Sequence, residues 1–186
     1  MKVKSILILW FLFLLALASP VKGKGYVILH GTFFIPSDAN FQDIYGGSVI
    51  MPGIGFGMKL SRSISFFVSA DYLSKTGSTV GELKDQTKTS QIFAAGGLEV
   101  RLQLTARYDA TFRAGIAYVN YKDTAFAEAV KGNGIGFLLG AGLNWKMKSF
   151  FLALDIDYLR ATDTPFNDKI ILGGMKLAIG IGRFFK

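Results

Sequence analysis

Residues 107–118 read RYDATFRAGIAY, and they alternate without a break. Tyr108, Ala110, Phe112, Ala114, Ile116 and Tyr118 fall on one side of an extended chain, and Arg107, Asp109, Thr111, Arg113 and Gly115 on the other. Successive side chains of a strand point to opposite faces, whereas a helix would scatter both sets, so the period of two decides for a strand. The same division separates Ile64, Phe66, Val68, Ala70 and Tyr72 from Ser65, Phe67, Ser69 and Asp71. It returns in Phe150, Leu152, Leu154, Ile156 and Tyr158 against Phe151, Ala153, Asp155 and Asp157.

Working outward from these three segments, the pattern predicts strands over 25–35, 49–60, 64–73, 91–102, 106–120, 134–146, 150–159 and 170–185. Their connections alternate in length. Short ones lie at 61–63, 103–105 and 147–149, and long polar ones at 36–48, 74–90, 121–133 and 160–169. An antiparallel up-and-down meander gathers the short turns at one end and the long loops at the other, the asymmetry of a transmembrane barrel. The expectation is therefore an all-β chain folded as an eight-stranded antiparallel up-and-down transmembrane β-barrel.

Alternation alone also fits a soluble barrel with its apolar face inward. Three features favour the apolar face outward. That face carries no charge at Ile54, Phe56, Met58, Ile92, Leu98, Val100, Ile135, Phe137, Leu139, Leu143, Leu177, Ile179 or Ile181, where a charge would cost a few kcal/mol near a bilayer midplane. Aromatic residues mark its ends: Tyr72, Tyr118 and Tyr158 at the loop end, Tyr108, Trp145, Phe150 and Phe185 at the turn end, as two interfacial girdles. The other face is rich in glycine (Gly53, Gly55, Gly57, Gly97, Gly136, Gly140, Gly142, Gly180, Gly182), which weakens an open strand but makes room inside a narrow eight-stranded lumen.

The inward face then holds Lys59, Arg101, Arg107, Arg113, Lys146 and Lys176 with Asp71, Glu99, Asp109, Asp155 and Asp157. Signs so nearly balanced predict mutual pairing and a plugged polar lumen, because a selective pore is lined by one sign. Asp155 and Asp157 share that face and belong to the network, not to an acid/base pair. His30, the single histidine, lies on the same side without a base–acid–nucleophile arrangement around it. Neither catalytic nor cofactor chemistry is expected, and the glycines of 134–142 lack the Lys-Ser/Thr ending of a phosphate loop.

At the N-terminus, Lys2 and Lys4 precede an apolar run from Ile6 to Ala18, too short to span a bilayer as a helix and placed as in a secretory signal. Residues 1–23 read as that signal, cleaved after Ala18 or after Gly23, and 24–186 as the barrel domain. The absence of cysteine excludes a disulfide framework, a thiolate metal site and a lipidated N-terminal cysteine. Of the formal charge of +8, three lysines belong to residues 1–23, and from Lys24 onward the excess of basic residues maps to the turn end, at Lys24, Arg62, Lys148, Arg183 and Lys186. That placement suits anionic headgroups and gives nucleic acid no basic stripe on the loops.

With signal, eight amphipathic strands, three short turns, four long loops and a last strand running from Met175 to Phe185, the whole mature chain resembles the small outer-membrane barrels. These comprise the transmembrane domain of outer-membrane protein A, outer-membrane protein X and the opacity-like proteins. Members end on an aromatic residue read by the barrel-assembly machinery; here Lys186 follows Phe185. The resemblance implies a monomer in the bacterial outer membrane, with membrane lipids and that machinery as partners and no cofactor. Its implied role is structural or surface-interactive, in adhesion or envelope integrity, through loops whose partner is unknown. A narrow ion or small-solute channel is the alternative; a lipid-modifying enzyme and a soluble ligand-binding barrel rank lower. The late-strand histidine with a serine two residues on that marks lipid A deacylases is missing.

Overall fold

A computed structural model describes residues 24–79, 86–125, 128–165 and 170–185. The expected signal, 1–23, lies outside the described residues, as does Lys186. The strands are β1 (Gly25–Pro36), β2 (Val49–Lys59), β3 (Ile64–Ser78), β4 (Gln86–Gln103), β5 (Tyr108–Ala125), β6 (Glu128–Met147), β7 (Phe150–Asp163) and β8 (Ile170–Phe185), with one short helix, α1 (Ala39–Tyr45), between β1 and β2. Each strand pairs antiparallel with its sequence neighbour, and β1 pairs with β8 from Gly25↔Phe185 to Pro36↔Gly174. Closure leaves no unpaired edge, so every strand finds its hydrogen-bond partners within the sheet.

The short turns have a readable chemistry. In the β2–β3 turn the amides of Leu60 and Ser61 both donate to the Ile64 carbonyl, and the Ser61 hydroxyl accepts from the Ile64 amide. Leu104 and Thr105 repeat this against Tyr108, with the Thr105 hydroxyl accepting from the amides of Arg107 and Tyr108. A small hydroxyl side chain that satisfies local backbone donors is what turns select.

Outward residues are the large apolar ones. On β5, Tyr108, Phe112, Ile116 and Tyr118 are 39–69% exposed, while their neighbours Asp109, Thr111, Ala117 and Val119 are at most 4% exposed. The apolar exterior of β5 runs from Tyr108 to Tyr118, then turns polar at Asn120, Lys122 and Thr124. Ten steps of about 3.3 Å, tilted about 45°, project to roughly 23 Å, close to the ~25 Å apolar band of a transmembrane barrel.

Two expectations about the loops are corrected. Segments 74–90 and 121–133 are largely strand: β3 and β4 stay paired out to Ser78↔Gln86, and β5 and β6 out to Ala125↔Glu128. Both faces of these extensions are polar, so hydropathy shows no alternation there and only the threonines hint at extended chain. The 36–48 loop contains α1, whose N-cap Asp38 accepts from the Phe41 amide at 3.0 Å.

Candidate functional site

The interior is stacked in tiers from the turn end to the loop end. Lowest, the Lys146 ammonium meets Asp109 at 2.6 Å. Above it Arg101 pairs with Glu99 at 2.8 Å, and the Tyr26 hydroxyl donates to the same carboxylate at 2.9 Å. The Arg101 guanidinium is sandwiched by rings, 5.0 Å from the Tyr26 centroid and 5.4 Å from that of Phe184. Tyr26, Phe151 and Phe184 form an aromatic cluster around it.

At mid-height Arg113 reaches Asp155 and Asp157, each at 3.0 Å. One step further, Asp71 accepts from Lys176 at 2.5 Å, from Thr32 at 3.0 Å and lies 2.9 Å from His30 Nε2. Asp71 and Lys176 are 2% and 3% exposed. Thr32 is turned to the carboxylate and not to the histidine, so this trio holds no nucleophile for His30 to activate.

Glycine makes these pairs possible. Gly142 and Gly140 sit directly across the ladder from Asp155 and Asp157, and a Cβ on either would collide with the opposing carboxylate oxygen. Gly53 plays the same part for His30 and Asp71. A mid-lumen cavity of about 20 Å³ remains among Arg113, Asp155, Asp157 and Lys176, space for about one water.

The loop-end half of the lumen departs from the expected polar filling. Phe34, Met51, Leu73, Phe93, Val119, Leu138 and Leu159 are at most 1% exposed and form one apolar cluster with Phe67. Phe34 and Phe93 pack at a tilt of 56°, with centroids 5.1 Å apart. The plug is therefore half ionic and half hydrophobic. Phe67 was the available sign, an apolar residue among inward Ser65, Ser69 and Asp71. Above this layer α1 adds Phe41 and the buried Tyr45, whose hydroxyl hydrogen-bonds Thr87 at 3.0 Å. Tyr121 donates to Asp163 at 2.9 Å, and burial beside that carboxylate pushes its phenol up to about 12.

Of the eleven lumen residues expected from sequence, nine enter these tiers. Lys59 and Arg107 do not: Lys59 ends β2 at the rim, and Arg107 stands exposed in the turn before β5, with no ion pair at either among the described residues. The alternation that placed Arg107 inward was carried one residue past the start of the strand.

The aromatic residues fall in two outward groups. Tyr108 faces Trp145 across the β5–β6 ladder, Arg183 lies over Phe150 at 5.9 Å, and Phe185 stacks on Phe56 at 5.6 Å, all at the turn end. Tyr118, Tyr72 and Tyr158 sit at the loop end, Tyr158 beside Phe137 at 6.2 Å.

No protein-family model matches the chain, and no curated protein does. Solved structures do. Neisserial surface protein A aligns with a TM-score of 0.60 at 13% identity, covering 86% of this chain and 96% of its own. The attachment invasion locus protein Ail of Yersinia pestis aligns at 0.57 and 10% identity, covering 89% and 100%. The N-terminal β-barrel domain of Pseudomonas aeruginosa OprF aligns at 0.52 and 15%, covering 88% and 100%. At such identities the likeness is one of architecture, and the chain has the fold of the small eight-stranded outer-membrane β-barrels.

Proposed function

We propose that this chain is a non-enzymatic bacterial outer-membrane barrel, exported by its N-terminal signal, that holds α1 and its long hairpins at the cell surface for structural or adhesive contact. The observation that carries this reading is the pairing of β3 with β4 and of β5 with β6 well beyond Tyr72 and Tyr118. Strands that continue past the apolar belt make a stiff platform above the outer leaflet. A barrel whose task was passage would need an open interior, and this one is closed by paired charges below and packed apolar side chains above.

The apolar exterior supports a place in the membrane, and the unequal ends support loops outward and turns in the periplasm. Membrane lipids and the assembly machinery acting on β8 are the proposed partners, and the barrel is proposed to act as a monomer. The neighbour from Yersinia pestis is named for attachment and invasion, which is in keeping with a surface role.

Replacing 74–90 by a two-residue turn tests the reading. The variant is expected to fold, keeping the different gel mobilities of boiled and unboiled samples, and to lose adhesion or envelope integrity in cells. Unchanged adhesion and permeability would contradict the surface role. Large, stable single-channel currents from the unmutated protein in planar bilayers would favour the channel instead.

A further inference from the structure

The turn-end mouth is a different kind of space from the plugged interior. It is a cavity of about 590 Å³, lined by Lys24, Lys59, Arg62, Arg101, Lys146 and Lys148, with Asp109 as its one carboxylate among the described residues and Phe184 and Phe185 as its apolar wall. Asp109 is taken by Lys146, and Arg101 by Glu99 behind it. Lys24, Lys59, Arg62 and Lys148 have no ion pair among the described residues. These cations come from the start of β1, the end of β2 and its turn, and the β6–β7 turn, so closure of the barrel gathers like charges that are far apart in sequence.

A second observation points to a ligand. The Arg101 side chain is 9% exposed and is fixed by Tyr26, Phe184 and Glu99, yet its Nε is buried without a hydrogen-bond partner. Arg101 also lines the vestibule, so its ceiling is a fixed guanidinium, and the exposed Lys24, Lys59, Arg62 and Lys148 stand around it. Like charges crowded into a cavity repel one another until an anion neutralises them, and guanidinium and ammonium donors together match a multiply charged oxyanion. The volume lies in the range of small-ligand sites and is ample for a phosphate or diphosphate group.

We propose that this vestibule is a binding site for a phosphate-bearing anion, either a soluble phosphate or diphosphate or the headgroup of an anionic phospholipid at the same rim. The site does not depend on the hairpins or on adhesion. Its ligand enters from the turn end and is held by Lys59, Arg62 and Lys148 below the Arg101 guanidinium.

The test is titration of inorganic pyrophosphate into the folded barrel in zwitterionic micelles at low ionic strength, by calorimetry. A parallel arm follows phosphorus NMR of the barrel in mixed phosphatidylcholine–phosphatidylglycerol vesicles. Saturable pyrophosphate binding identifies a soluble ligand, and selective immobilisation of phosphatidylglycerol identifies a headgroup. In either arm Lys59→Gln and Arg62→Gln, exposed and without structural partners, should each weaken binding about tenfold while the unboiled gel mobility stays unchanged. Lys122→Gln, at the opposite end, should leave it as it was. No saturable binding in both arms, or equal loss from Lys122→Gln and Lys59→Gln, would overturn the site.

Discussion

Asp71→Leu removes the carboxylate on which three side chains converge, and its cost follows from what it leaves behind. Lys176 is 3% exposed and its ammonium has Asp71 as its ion-pair partner. Breaking a buried pair by deleting one member costs about 3–5 kcal/mol, and here the surviving ammonium would be left in a site with room for about one water. His30 and Thr32 lose an acceptor in the same step. Taking a slope of about 2 kcal/mol per molar urea, the unfolding midpoint should fall by roughly 1.5–2.5 M. Fluorescence of Trp145, outward at the turn-end girdle, reports unfolding in vesicles. The double variant Asp71→Leu/Lys176→Met removes both charges and should recover most of that loss, since a buried pair replaced by apolar residues of like volume is often neutral. A single variant within about 1 kcal/mol of the parent, or a double variant worse than the single, would refute the claim that Asp71 and Lys176 form a buried pair shielded from bulk water.

Arginine at Leu154 or Phe112 should destabilise the barrel by about 2–4 kcal/mol, and at Ile50, near the loop end, by about 0–1 kcal/mol, measured as urea midpoints in vesicles; equal costs would contradict the placement of Leu154 and Phe112 near the bilayer midplane. Gly142→Val should displace the Asp155 carboxylate and cost about 1–3 kcal/mol by overpacking, a loss that Gly31→Val, with open space around its Cα, would not share. Asp123, in the extension of β5 beyond Tyr118, has its pKa raised by burial, with one carboxylate oxygen unpaired. A raised folded pKa means that the folded state binds the proton more tightly and that ionisation at neutral pH works against folding. Asp123→Asn should therefore raise the melting temperature at pH 7, with the gain shrinking as pH falls through the elevated pKa; a gain that grows in acid would contradict the burial.

Eight strands, their order and their outward residues were legible because membrane-facing strands in this chain keep a strict contrast between faces, as in 107–118. The contrast fails in two places for opposite reasons. In 74–78 and 86–91 both faces are polar, although Thr87, Thr89 and Gln91 are buried, so Ser74, Thr76, Thr87 and Thr89 look like loop. At Phe33–Ile35 and Phe137–Leu139 both faces are apolar, so nothing marks Phe34 and Leu138 as the plug. Face assignment also gives no height or azimuth. That Asp71 would meet Lys176 from 105 residues away, and Arg113 the pair Asp155 and Asp157, emerges only from the register of the closed sheet. The vestibule was read as a basic rim, but the buried Arg101 at its ceiling depends on the ring contacts of Tyr26 and Phe184.

The central claim, a membrane barrel with its hairpins outside and its turns inside, is tested most directly by single-cysteine labelling. The chain has no cysteine, so each introduced thiol is unique. Thr76→Cys on β3 above the belt and Ser149→Cys in the β6–β7 turn are both exposed positions. A membrane-impermeant maleimide applied to intact cells should label the first and reach the second only after the outer membrane is permeabilised. Labelling of Ser149→Cys but not Thr76→Cys in intact cells, or of both alike, would contradict the account.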